Sequence, residues 1–239
     1  MTYKSTVEEI RQRFDSEFAC YTNLETGQVS AVDSVLALDL IAEAAAVTTA
    51  NAKTLLDLGC GGGNASLKVL EKLPGLDVTL VDLSRVMLDQ AVARVSSQTT
   101  GAVSATQSDM RHYDFGHERF DIVVASVTLH HLRTDDDWNG VFQHIHDALK
   151  PGGSFWIFDI VESPRLELQA LHWRRYGEYL TSVGGDAYRE ELFARIIEED
   201  TPRSVPYQLE LLRKVGFKDI ELLHKNSCYA AFGAMKLLT

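Results

Sequence analysis

Apolar positions follow two alternating rhythms from Thr54 onward. Short runs rich in Val, Ile and Leu are separated by longer stretches whose apolar residues recur at helical spacing. Runs of the first kind suit strands buried on both faces, those of the second suit amphipathic helices, and their alternation makes a parallel sheet covered by helices. The pattern predicts strands over 54–58, 77–82, 103–107, 120–125 and 154–159, and helices over 64–72, 84–95 and 138–149. In the last of these, Val141, Phe142, Ile145 and Leu149 share a face behind Asp135, Asp136 and Asp137, an acidic run suited to a helix N-terminus.

The C-terminal part changes character. A helix over 204–215 stops before Gly216, and apolar runs at 219–225 and 228–236 are separated only by Asn226 and Ser227, so they must pair antiparallel. The result is an otherwise parallel sheet closed by a terminal hairpin strand. Two further segments stand apart: an N-terminal helical region over 1–50, with Val32, Val35, Leu36, Ile41 and Ala42 apolar, and an insertion over 160–206 with helices near 165–180 and 186–199. The insertion follows the C-terminal end of the fifth strand, where open α/β sheets bind ligands, so it is a candidate wall or lid, and its helices would equally serve a homodimer. A chain of 239 residues suits one domain, 1–239, with these two additions.

Charge and cysteine content narrow the partners. The net charge of −11 repels polyanions and anionic membranes, which argues against nucleic acid. The first residues carry acids among their bases and no apolar core of a signal, and no apolar stretch reaches ~18 residues, so a soluble, cytoplasmic protein without a membrane span is expected. Cys20, Cys60 and Cys228 are far apart and lack paired spacing, which fits three small buried residues in a reducing compartment. His144 and His146, two apart on a helix, diverge and read as a solvated face, and no metal site is expected. Arg174, Arg175 and Tyr176 also read as a solvated helix face, because the insertion around them is net acidic.

The chemistry concentrates at the strand ends. Leu55-Leu56-Asp57-Leu58-Gly59-Cys60-Gly61-Gly62-Gly63-Asn64 is a strand running into a glycine loop and then a helix, which lets bare backbone approach a ligand. Asp82 ends the second strand, where a carboxylate can accept hydrogen bonds from both hydroxyls of a ribose. Asp109 lies just past the third, so Asp57, Asp82 and Asp109 are expected as a row of acids on the ligand-binding edge. A pyrophosphate would be repelled beside Asp57, whereas a ligand bearing a sulfonium and an ammonium gains from that charge, so the electrostatics favour a cationic adenosyl ligand. His130 and His131 follow the fourth strand at the same edge. An imidazole there can take a proton from an N–H or O–H group, and His130 is the candidate base, against the plainer reading of one packing and one surface histidine.

These pieces resemble the class I S-adenosylmethionine-dependent methyltransferases over nearly the whole chain: Asp57 to Gly63, Asp82, Ser108-Asp109-Met110, Phe120-Asp121-Ile122-Val123, and Leu149-Lys150-Pro151-Gly152-Gly153. The resemblance implies a Rossmann-like, seven-stranded mixed sheet with an antiparallel last strand, helices on both faces and the helical insertion after strand five. It implies S-adenosylmethionine across strands one to four, with Gly59, Cys60 and Gly61 at its methionine part, Asp82 and Leu83 at the ribose, Asp109 and Met110 at the adenine, and Ser126 near the sulfonium. Asp121, by contrast, reads as a strand-end cap.

A closer resemblance is to a subgroup that includes carboxy-S-adenosylmethionine synthases, through Phe14-Asp15, Tyr21-Thr22-Asn23, Thr128-Leu129 and the stretches 215–217 and 232–235. It implies that Tyr21 touches the cofactor. Those synthases hold an extra carboxylate with an arginine before the penultimate helix. Here that region reads Glu198-Glu199-Asp200-Thr201-Pro202-Arg203-Ser204, with the arginine displaced and three acids beside it. Arg203 is therefore the candidate substrate ligand, and methyl transfer to an oxygen or nitrogen of a small molecule is favoured over carboxy-cofactor synthesis or tRNA modification. A nicotinamide oxidoreductase and a cofactor-binding module without turnover remain open beside it.

Overall fold

A computed structural model of the chain describes residues 3–21 and 29–238, the side chains of 18–21 excepted. The elements follow one another as α1 (Val7–Tyr21), α2 (Ser34–Thr48), β1 (Thr54–Leu58), α3 (Asn64–Lys72), β2 (Asp77–Asp82), α4 (Arg85–Ser96), β3 (Val103–Gln107), β4 (Phe120–Ser126), α5 (Asp135–Ala148), β5 (Leu149–Ile160), α6 (Leu166–Glu199), α7 (Val205–Val215), β6 (Lys218–Asn226) and β7 (Tyr229–Met235). The seven strands form one sheet in the order β3-β2-β1-β4-β5-β7-β6. β1 to β5 run parallel, and β7 lies antiparallel to both β5 and β6.

The pleat sorts the core into two layers. Leu55, Leu80, Val124 and Phe158 face the layer that holds α2, α3 and α4, while Leu56, Val81, Val123 and Phe155 face α5 and α7. Burial on both faces is why these strands read as continuous apolar runs. Most expected strand limits hold to within a residue, but β5 begins at Leu149 rather than 154, taking over the end of the expected helix, and β7 is trimmed to Tyr229–Met235. α5 begins at Asp135, inside the acidic run, because Thr134 and Asp137 form a reciprocal capping box there. α7 starts behind the Ser204 cap and ends at Gly216, whose φ of +115° an L side chain rarely adopts.

At the sheet edge opposite the glycine loop, Asp121 Oδ2 accepts the backbone N–H groups of Lys53 and Thr54 (both 2.9 Å) and the Lys150 ammonium (3.0 Å). It ties the starts of β1, β4 and β5 together. The insertion is one long helix, α6, broken at Gly185 (φ 84°, ψ −179°), a conformation open in practice only to glycine. Among the described residues no helix is long and apolar enough to cross a membrane.

Candidate active site

The strand order turns back between β1 and β4, and there the loops leaving the C-terminal strand ends diverge and open a crevice. Gly59 (φ +68°) and Gly61 (φ +51°) are both left-handed. A Cβ on Gly59 would collide with the Thr128 side chain, whereas one on Gly61 would meet nothing within 4 Å. The first glycine lets the loops after β1 and β4 touch, and the second keeps bare backbone toward open space.

Asp82 fastens that loop. Its Oδ2 accepts the Gly61 N–H and its Oδ1 the Ser84 N–H, each at 2.8 Å. Burial pushes its pKa up against the backbone donors Ser84, Gly61 and Leu83, and the carboxylate keeps acceptor capacity for a further donor. Asp109 is gripped by Arg111, whose Nε lies 2.9 Å from Oδ1 and Nη2 2.5 Å from Oδ2. Burial raises the Asp109 pKa, but the hydrogen bonds from Arg111 outweigh it and hold the carboxyl below its usual range.

Gly59, Cys60, Gly61, Asp82, Leu83, Asp109, Met110, Ser126 and His130 all line one cavity. Asp57 and Arg203 do not, which corrects two expectations. The pleat that sends Leu56 and Leu58 toward α5 turns Asp57 to the other face, where its Oδ2 accepts the Ser66 backbone N–H (3.1 Å) and hydroxyl (2.6 Å). Asp57 is fully buried, its Oδ1 lacks a hydrogen-bond partner among the described residues, and burial pushes its pKa up to about 6. The row of acids on the ligand edge is thus two long, with the third behind the loop. Arg203 precedes the cap of α7, where its Nη2 lies 2.6 Å from Asp135 Oδ1 and its guanidinium sits over the Tyr207 ring. By that point the chain has turned away from the crevice. Tyr21 is the last residue of α1, and its side chain lies outside the described residues.

Beyond the strand ends the cavity is walled by a buried polar cluster. His130 sits in a 3₁₀ turn (Leu129–His131) after β4. Its Nδ1 lies 2.5 Å from Asp159 Oδ1, its backbone N–H donates to Asp159 Oδ2 (3.1 Å), and its Nε2 lies 3.6 Å from Asp200 Oδ1. Burial alone would lower the ring's pKa, but Asp200 and Asp159 on either side raise it to about 9. His131 lies nearby, ring centroids 4.2 Å apart and planes tilted by 56°, and goes the other way: burial, with His130, Arg13 and Arg133 close by, holds it well below its usual value. Burial pushes Asp200 up to about 6 although His130 opposes the rise.

α1 and α6 roof this cluster. Arg13 grips Glu199 through two bonds (2.7 and 2.5 Å), and Arg195 grips Glu17 in the same way (3.1 and 2.9 Å). Tyr176, expected on a solvated face, is buried against the cavity and donates its hydroxyl to the Ser30 carbonyl (2.9 Å). Its spacing from Trp173 and Leu180 was the signal, an apolar stripe among charges. His146 likewise is not solvated, since its ring packs edge-on against Phe217 at 5.0 Å. Asp159 and Asp200 escaped the sequence reading. Asp159 ends an apolar strand as Asp82 does, but Asp200 lies 70 residues from His130 with no local pattern to join them.

Residues 55–153, about two fifths of the chain, match the family described as a methyltransferase domain. The Bacillus subtilis protein YqeM, provisionally described as a methyltransferase, is 36% identical over 110 residues, 46% of this chain and 42% of its own length. The chain therefore spans about two fifths of that relative. A carboxy-S-adenosyl-L-methionine synthase of Nautilia profundicola is 26% identical over 187 residues, 76% of each chain. In fold, the chain is similar to the Burkholderia thailandensis 1,6-didemethyltoxoflavin-N1-methyltransferase, solved with bound 1,6-didemethyltoxoflavin and S-adenosylhomocysteine, with a TM-score of 0.65 at 18% identity over 99% of this chain and 93% of that one. Residues 55–153 thus match a methyltransferase domain, and the strand order and strand-end motifs around them agree with that match. The residues present fit S-adenosylmethionine: Gly61 presents bare backbone to open space, and Asp82 keeps acceptor capacity beside it.

Proposed function

We propose that this chain transfers a methyl group from S-adenosylmethionine to an oxygen or nitrogen of a small molecule held beneath α1 and α6. One observation carries the reading: a single cavity joins the glycine loop, Asp82 and Asp109 to the His130 cluster and to the underside of both roofing helices. When bound, S-adenosylmethionine supplies an electrophilic methyl group on a sulfonium. Asp82 receives the ribose hydroxyls with Leu83 beside them, Asp109 and Met110 bound the adenine, and Gly59 to Gly61 lie along the methionine part, with Ser126 toward the sulfonium. Asp57 acts from behind by holding the first turn of α3 through Ser66. The roof excludes water and aligns the acceptor, which is where most of the acceleration of such a transfer arises. Among the polar groups that line the cavity, His130 is the candidate base for the acceptor. Arg203 has no part in this assignment, and the arginines that line the cavity from α1 and α6, Arg13 and Arg195, are engaged by Glu199 and Glu17, which disfavours the carboxylated-cofactor reading. The net charge of −11 disfavours a nucleic-acid acceptor.

Mass spectrometry of small molecules released from the freshly purified, denatured protein is the direct test. S-adenosylmethionine or S-adenosylhomocysteine near one equivalent is expected, and a nicotinamide nucleotide would overturn the reading. In calorimetry, Asp82→Ala should weaken S-adenosylmethionine binding by more than about tenfold, because it removes charge-assisted hydrogen bonds and loosens the loop. Unchanged affinity would refute the placement of the ribose.

A further inference from the structure

His130 is held more firmly than a packing histidine requires. Asp159 is fully buried, and each of its oxygens is committed: Oδ1 accepts from the ring Nδ1 (2.5 Å) and the Ile160 N–H (2.8 Å), and Oδ2 accepts the His130 backbone N–H (3.1 Å). With Nδ1–H donated to Asp159, the neutral ring carries its lone pair on Nε2, and Nε2 faces Asp200, which lines the same cavity as His130. Asp200 is kept there because the Thr201 N–H donates to the His130 carbonyl (2.7 Å). The geometry points to Asp159 as the positioning residue that makes His130 Nε2 the proton acceptor of the site, with Asp200 as the counter-charge beside it.

This inference rests on the methyl-transfer reading and narrows it to acceptors that lose a proton, a hydroxyl or a primary or secondary amine, rather than thiolates or tertiary amines. The acceptor's lone pair bonds to the methyl carbon, the carbon–sulfur bond's electron pair stays on sulfur, and the acceptor proton moves to Nε2. The resulting imidazolium lies between two carboxylates, so its charge is balanced where it forms. The charged and titratable groups around the ring are Asp159 from β5, Glu199 and Asp200 from the end of α6, His131 from the same turn, Arg13 from α1 and Arg133 after the turn. Arg13 is engaged by Glu199, so the two aspartates set the balance.

The decisive experiment is a ¹⁵N-histidine NMR titration of the cofactor-free protein, for the wild type, Asp159→Asn and Asp159→Glu, with metal analysis of the same samples. In the wild type, His130 should titrate about 9 and become the Nδ1–H tautomer. Asp159→Asn should lower that titration by at least one unit and mix the tautomers, and Asp159→Glu should largely restore both. In turnover with a hydroxyl or amine acceptor, the rising limb of the pH–rate profile should move to lower pH in Asp159→Asn with kcat reduced and KM little changed. An unchanged tautomer and titration in Asp159→Asn would overturn the proposal. So would a stoichiometric metal lost in both His131→Gln and Asp200→Asn, since His130, His131 and Asp200 offer donor atoms within 4.8 Å of one another and the ring would then be a ligand. Because the titration needs no cofactor, absence of S-adenosylmethionine binding would refute the proposed function and leave the role of Asp159 toward the ring standing or falling on its own titration.

Discussion

Two glycines of one loop do different work, and alanine separates them. Gly59→Ala combines left-handed strain of about 1–2 kcal/mol with a collision against Thr128, so Tm should fall by roughly 5 °C or more for a chain of this size. Gly61→Ala carries only the strain, because its Cβ meets open space; its Tm should fall about half as far while calorimetric cofactor affinity drops roughly tenfold. Equal loss of stability would contradict the packing. Asp57 is testable through pH. Its folded pKa of about 6 lies above the unfolded value near ~3.9, so folding favours the protonated form. Its contribution to stability is complete below about pH 4 and is lost as pH rises through 6. Across that window the wild-type Tm, measured relative to Asp57→Asn, should decline and then level off. A pH-independent difference would show that the carboxyl is not shielded from water.

Among the elements, β1 to β5 with α3 and α4 were legible from periodicity, since burial on both faces leaves an apolar run and one-sided burial leaves a helical stripe. The hairpin of β6 and β7 was legible from the shortness of its turn. The insertion was legible as helical, but not its fold-back: Gly177 faces Arg189 and Phe193, so the two halves of α6 run side by side around Gly185. A Cβ on Gly185 would meet nothing within 4 Å, and the cost of Gly185→Ala is therefore purely that of its backbone, about 1–3 kcal/mol. Thermal unfolding should show that loss. No change in Tm would mean that the helix straightens without consequence, and the roof would then be differently built.

At the scale of the molecule, α1 is joined to α6 through ion pairs, while α6 packs Tyr176, Leu180 and Ile196 into one apolar layer of the sheet. Arg13 and Glu199 are both mostly buried, with side-chain exposures of 16% and 8%. Arg13→Met should cost about 3–5 kcal/mol by leaving the Glu199 carboxylate buried without its guanidinium, and adding Glu199→Leu should recover most of it. Chemical denaturation of the single and double variants measures this. If the double variant is no better than the single, the pair is solvated and the roof is held elsewhere.

By itself, the sequence determined the sheet, its antiparallel ending, the glycine loop and the acids at the ends of β2 and β3, because each depends on residues close together along the chain. Asp57 shows the limit even there: its position in the strand was plain, but the face it takes follows from which neighbours are buried against which layer. Only the tertiary structure decided that Asp200 meets His130 across 70 residues, that Asp159 closes on the same ring, that Tyr176 turns inward and that Arg203 turns out. Such pairings are set by how α1, α6 and the turn after β4 pack over the crevice, and packing between distant segments leaves no period in the chain to read.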